Sequence, residues 1–82
     1  MSTRGMSLSA LRDPQYRKAI SLLVTSRHSA GVSQADLAAT LSKPQSFVSK
    51  YERFERRLDV IEFGRILRAL GLDPVSTLQD LL

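Results

Sequence analysis

The 82-residue chain contains no cysteine and a single histidine, His28. Disulfides, thiolate-held metals and a cysteine nucleophile are excluded, and one imidazole is too few for a zinc site. No cofactor is expected. The serines lie in no G-x-S-x-G, no acidic pair has a defined spacing, and no glycine-rich phosphate loop occurs. The chain is not expected to be an enzyme or to bind a small-molecule ligand. No apolar run approaches the ~20 residues that span a bilayer. The start, MSTRGMSLSALRDP, lacks the continuous apolar stretch of a signal peptide. The expectation is a cytoplasmic protein without membrane contact. Period-two alternation is also missing over any useful length, so no strand is predicted.

What is present is positive charge. Twelve Lys and Arg against eight Asp and Glu give a net charge of +4. A small basic domain points to a polyanion, most often nucleic acid. The charge is uneven along the chain: residues 1–28 and 43–57 are net positive, and residues 58–82 carry two basic and four acidic groups.

Residues 1–12, rich in Ser, Thr, Gly and Met, read as a mobile arm. Its Arg4 and Arg12 could reach DNA. From Asp13 onward the pattern is helical, and residues 13–82 read as one all-α domain of five helices. Asp13-Pro14 supplies a cap and a proline at the first helical position. Tyr16, Ala19, Ile20, Leu23 and Val24 follow at helical spacing, and Gly31 lies in the turn beyond His28. Ser33 opens a short second helix with Ala35, Leu37, Ala38 and Leu41 on its apolar side. Pro44 starts a third, with Phe47, Val48 and Tyr51 inward. Asp59 and Glu62 suggest a capping box for a fourth, with Val60, Phe63, Ile66, Leu67 and Leu70 on one face. Asp73-Pro74 opens a fifth.

Helices two and three are each too short to be stable alone. Their two-residue connector, Ser42-Lys43, forces a sharp turn, which makes a helix-turn-helix whose second helix suits a major groove. The outer face of that recognition helix, about residues 44–53, carries Gln45, Ser46, Ser49, Lys50 and Arg53, with no acid among them. Gln can read adenine in bidentate fashion, Lys and Arg can read guanine, and Ser serves either. Gln45, Ser46, Ser49 and Lys50 are therefore the candidate base readers. Lys43, Arg53, Arg56 and Arg57 are candidate phosphate contacts, which give affinity and salt dependence without sequence information. Phe47 is within reach of a thymine methyl in principle, but its spacing with Tyr51 favours core packing.

The stretch SQADLAATLSKPQSFVSKYE, Ser33 to Glu52, followed by ERRLDVIEFGRILRALGLDP, resembles the Cro/cI-like (XRE) helix-turn-helix regulators. The resemblance covers roughly residues 14–82. It rests on the apolar positions, the small Ala38 at the helix crossing and Gln34 at the helix start. It implies a lambda-repressor-like fold and a double-stranded DNA operator. It implies that Gln34 binds phosphate, as a helix N-terminus favours anions. It also implies that Arg27, late in the first helix, pairs with Glu52 at the end of the third.

Two positions depart from the family, which usually has Gly where this chain has Ser42 and Phe54. Both places favour a left-handed backbone, which costs a residue other than Gly about 1–2 kcal/mol. Ser42 is expected to tolerate it. The bulk of Phe54 predicts instead that the third helix continues past Arg53, with Phe54 helical and the Arg56-Arg57 pair shifted.

The C-terminal residues Leu72, Val75, Leu78, Leu81 and Leu82 are more apolar than the end of a monomer requires. Part of this set is expected to cover the core and the rest to form a two-fold dimer interface. A homodimer would present two recognition helices to half-sites ~34–36 Å apart, hence a pseudo-palindromic operator. The functional expectation is a transcriptional regulator, a repressor or autoregulator, located on the nucleoid when bound. The alternative is a protein-interaction module of the antitoxin or antiactivator kind, using the same fold and binding DNA little.

Overall fold

A computed structural model describes residues 11–82. Residues 1–10, which hold most of the expected arm and its Arg4, lie outside the described residues. Leu11 and Arg12 are helical, and among the described residues five helices then follow one another: α1 (Pro14–Ser29), α2 (Gln34–Thr40), α3 (Gln45–Glu52), α4 (Val60–Ala69) and α5 (Pro74–Leu81). No strand occurs among the described residues, so the all-α reading holds.

Each start has a chemical cause. The Asp13 carboxylate accepts from the backbone N–H groups of Gln15 and Tyr16, and Pro14 needs no partner there. Ser33 Oγ accepts from Asp36 N–H at α2. Asp59 and Glu62 form a reciprocal capping box at α4. Asp73 accepts from Ser76 N–H at α5, and that hydrogen bond holds the carboxyl of Asp73 below its ordinary value. Only α3 has no side-chain cap; Pro44 precedes it in extended conformation.

The ends of α1 to α4 share one solution. In each, a residue with positive φ turns the chain, and the N–H after it bonds back five residues: Val32 to Arg27, Lys43 to Ala38, Glu55 to Lys50, Leu72 to Leu67. This is the Schellman arrangement. Gly31 and Gly71 supply it without strain. Ser42 (φ 57°) and Phe54 (φ 61°) supply it with a Cβ present.

Phe54 therefore overturns the expected continuation of α3. The helix stops at Glu52, and the chain reverses at Phe54 with Phe54 N–H to Tyr51 O at 3.1 Å. Reversal buries Leu58 in the core and lets its N–H donate to Tyr16 Oη at 3.1 Å. A helix running on would forfeit both. The ring of Phe54 packs partly on the core, and the Arg17 guanidinium lies 3.9 Å over it. The expected shift of Arg56-Arg57 falls with the expected helical Phe54.

The core is formed by Ile20 and Leu23 of α1, Leu37 and Ala38 of α2, Phe47, Val48 and Tyr51 of α3, Leu58, and Ile66 and Leu67 of α4. Phe47 and Tyr51 meet edge to face at 5.7 Å, so both rings face the interior. Two apolar assignments are corrected. Val60 is 71 % exposed and belongs to the surface of the first turn of α4. Ala35 is exposed, because the inward stripe of a seven-residue helix is used up by Leu37 and Ala38.

Candidate nucleic-acid interface

Helix α3 presents one side to the core and the other to solvent. Gln45, Ser46 and Lys50 are exposed and Ser49 is half-buried. The one acid within α3, Glu52, stands two turns after Gln45 at the edge of that face, but its side chain is buried against α1. Its carboxylate is bound by Arg27 of α1 on both oxygens, Nε to Oε2 at 2.7 Å and Nη2 to Oε1 at 3.0 Å. The two side chains are 9 % and 7 % exposed. Arg27 Nη1 also donates to Val32 O at 2.9 Å, and its Nη2 lies 3.3 Å from His28 Nε2. The hydrogen bond to Glu52 raises the Arg27 pKa above its ordinary value, against the opposite pull of burial. A fork-to-fork pair of this kind fixes angle as well as distance, so α1 and the end of α3 are held at one orientation.

Gln34, the first residue of α2, joins the same cluster. Its Nε2 donates to Glu52 Oε1 at 2.8 Å, and its Oε1 lies 3.5 Å from Gln45 Nε2. The first residues of α2 and α3 are thus neighbours. An N-terminus carries unpaired N–H groups and favours anions.

The basic residues differ in freedom. Lys43, in the turn, is exposed, with its ammonium 5.4 Å from the Phe47 ring centroid. Arg57 is exposed and stands 6.0 Å over the Tyr16 ring. Arg53 donates to Ser49 Oγ at 2.8 Å and pairs with Glu55 at 3.0 Å in an exposed contact. Arg56 is the most engaged. It pairs with both oxygens of Glu62, donates to Arg57 O, and lies 4.7 Å over the Phe47 ring. That pairing pulls the carboxyl of Glu62 below its ordinary value.

Sequence spacing could not reveal the Arg56–Glu62 pair or the Gln34–Glu52–Gln45 cluster. Arg56 and Glu62 lie in the turn after α3 and on α4, and Gln34 lies on α2 while Gln45 and Glu52 stand two turns apart on α3, so only packing brings each group together. The exposed C-terminal apolar residues are Val75, Leu78 and Leu82, while Leu72 packs on the core and Leu81 is half-buried. With Tyr16, Val60 and Phe63, the last three leucines line an open groove of about 240 Å³. No cluster of residues able to hold a metal occurs among the described residues. No helix among them is long and apolar enough to cross a membrane.

The helix-turn-helix family profile matches residues 27–76, from the end of α1 into α5. Among solved structures, an XRE-family like protein from Pseudomonas syringae pv. tomato str. DC3000 superposes with a TM-score of 0.82 at 44 % identity. The match covers 98 % of this chain and 94 % of that one. No curated protein matches. With α2, the Ser42 turn and α3 at its centre, the chain belongs to the XRE family of helix-turn-helix proteins, a family of DNA-binding regulators.

Proposed function

We propose that the protein is a sequence-specific regulator of transcription, acting as a repressor of its own or a neighbouring promoter. It binds a pseudo-palindromic duplex operator as a homodimer, with α3 in the major groove. The observation that carries this reading is the clean outer face of α3. Its single acid is withdrawn into the pair with Arg27, which leaves Gln45, Ser46, Ser49 and Lys50 toward base edges. Carboxylates on that face would repel the phosphates on either side of the groove.

Lys43, Arg57 and Arg53 flank this face as phosphate contacts, with the N-terminus of α2 and Gln34 as another. Arg56 contributes less, because Glu62 already neutralises it. The dimer contact uses Val75, Leu78 and Leu82, which are 67 %, 41 % and 83 % exposed, supported by Leu81 and by Leu72 beneath. Apolar side chains clustered at one end of a small domain are the usual mark of an interface.

The test is selection from a random duplex library at about 150 mM salt. A pseudo-palindromic motif with half-sites one helical turn apart is the expected result. A folded protein that enriches nothing would overturn the reading and move attention to a protein partner.

A further inference from the structure

Two arginines and two aromatic rings clasp α1 to the turn after α3. The Arg17 guanidinium of α1 lies 3.9 Å over the ring of Phe54 in the turn, and the Arg57 guanidinium of the turn stands 6.0 Å over the ring of Tyr16 in α1. Each segment gives one cation and receives one. Leu58 N–H, donating to Tyr16 Oη at 3.1 Å, closes the clasp.

These two cations differ from the other arginines around α3. Arg27, Arg53 and Arg56 each hold a carboxylate, whereas Arg17 and Arg57 are in no ion pair among the described residues. Stacking occupies the flat face of a guanidinium and leaves its N–H edges free to donate. Nη1 of Arg17 donates to Leu11 O at 3.1 Å. Nε and Nη2 of Arg17 have no partner among the described residues. The same edge of Arg27 grips both oxygens of Glu52. An open arginine fork takes two oxygens of a phosphate in the same way.

The place of the clasp follows from the length of the recognition helix. In a helix-turn-helix the first residues of that helix meet the base edges. The eight residues of α3 span about 12 Å, and the major groove is about 12 Å wide. The turn beyond α3 therefore comes out at the phosphates that edge the groove, and Arg17 is stacked on that turn.

We propose that Arg17 is a further contact to a DNA phosphate, with Phe54 as its positioning residue. The proposal rests on the DNA-binding reading above and adds a residue of α1, outside the helix-turn-helix itself, to the surface that meets the DNA backbone. Phe54 is a bulky residue held at φ 61°. Backbone strain of this kind is kept where the strained residue serves a site, and here it carries the ring under Arg17. An unsupported arginine loses side-chain freedom when it binds, whereas the stacked one has surrendered it on folding. The contact is read by charge and carries no base preference.

The affinity of the full-length protein for its selected duplex is measured between about 50 and 200 mM salt. The variants are Arg17→Gln, Lys18→Gln, Phe54→Asn and the double variant of Arg17→Gln with Phe54→Asn. Asn tolerates positive φ and offers no aromatic face. Lys18 is exposed and in no cation–π contact among the described residues, so Lys18→Gln removes the same charge one position along α1. Circular dichroism checks that each variant is folded.

Arg17→Gln is expected to reduce the slope of log K against log salt by about one, so that the wild-type advantage shrinks about three- to fourfold over that range. Its base preferences are expected to match wild type. Lys18→Gln is expected to change the slope by less than about 0.3. With Asn at position 54, Arg17→Gln is expected to have less than about half its effect in the wild-type background. An unchanged slope in Arg17→Gln would make the stack purely structural and overturn the proposal, while the DNA-binding reading stands. An equal loss in Lys18→Gln would overturn it as well, because net charge and not position would be the cause. A full effect of Arg17→Gln beside Phe54→Asn would overturn the positioning role of Phe54. A folded wild type that binds no duplex would overturn the DNA-binding reading and this contact together.

Discussion

The Arg17 guanidinium lies 3.9 Å over the ring of Phe54, the one aromatic residue in the chain with positive φ. Arg17 is exposed on α1, and Phe54 lies in the turn just beyond α3. The stack ties the turn after the recognition helix to the first helix. A cation over an aromatic face is worth about 0.5–1 kcal/mol at an exposed site. That offsets part of the ~1–2 kcal/mol that a left-handed backbone costs a residue with a Cβ.

Glycine at the two strained turns should therefore act in opposite directions. Ser42 is exposed and makes no side-chain hydrogen bond that glycine would lose. Ser42→Gly is expected to stabilise the fold by about 0.5–1 kcal/mol, the relief of strain less the added backbone entropy. Phe54→Gly relieves similar strain but loses the ring's packing on the core and the Arg17 stack. It is expected to destabilise by about 1 kcal/mol or more. Urea unfolding of both variants checks this; stabilisation by Phe54→Gly would show that the ring contributes little.

The Arg27–Glu52 pair should behave as a unit. Arg27→Met leaves a buried carboxylate with only the Gln34 donor, which is expected to cost about 3–5 kcal/mol. Replacing both residues by apolar ones removes the uncompensated charge, so the double variant should cost well under the sum of the singles. A double-mutant cycle by chemical denaturation reads the coupling. Additive effects would mean that the pair is not an interacting unit.

Tyr51 offers the contrary case. Its ring is fully buried, and its hydroxyl has no hydrogen-bond partner among the described residues. Burial pushes the phenol pKa well above its ordinary value, so it stays neutral throughout the working range. A buried hydroxyl without a partner carries a desolvation cost of about 1–3 kcal/mol. Tyr51→Phe is expected to be neutral or to raise the thermal midpoint. A clear loss of stability would reveal a partner for the hydroxyl.

Acid should expose the role of Glu62. Its pKa is lowered chiefly by the hydrogen bonds from Arg56, so the folded state holds the carboxylate more firmly than the unfolded chain does. The stabilisation is complete above the unfolded carboxyl pKa, about 4.3. It disappears as pH falls through the lower folded value. Glu62→Gln can keep the capping box but not the charge. It is expected to be less stable than wild type by up to about 1 kcal/mol at pH 7. The difference should shrink toward zero below about pH 4. A difference unchanged between pH 7 and pH 3 would place its origin outside the ion pair.

Salt should separate positioning contacts from reading contacts. Lys43→Ala removes one exposed charge beside the groove-facing helix. It is expected to weaken binding to all duplexes alike and to reduce the slope of log K against log salt by about one. Gln45→Ala should leave that slope unchanged and relax preference at one base pair. Equal effects of both substitutions, in slope and in preference, would erase the distinction between them.

The local chemistry of this chain was readable without coordinates. Asp13-Pro14, Ser33, Asp59 with Glu62, and Asp73-Pro74 each place an acceptor within two or three residues of unpaired helix N–H groups. Such signals involve neighbours in sequence, so spacing carries them. The inward residues Leu37, Ala38, Phe47, Val48 and Tyr51 follow from helical period for the same reason. Phe54 could not be read that way. Its conformation is decided by Leu58 reaching the core, by Tyr16 accepting from the Leu58 amide, and by Arg17 stacking 37 residues away. The exposure of Val60, the neutralisation of Arg56 by Glu62, and the meeting of Gln34, Glu52 and Gln45 are likewise products of how helices are set against one another. Sequence alone determined where the helices begin and which stripes turn inward, because those choices are made within one turn of backbone. Tertiary structure decided which charges are paired and which amides meet, because those choices depend on distances between residues that only packing brings together.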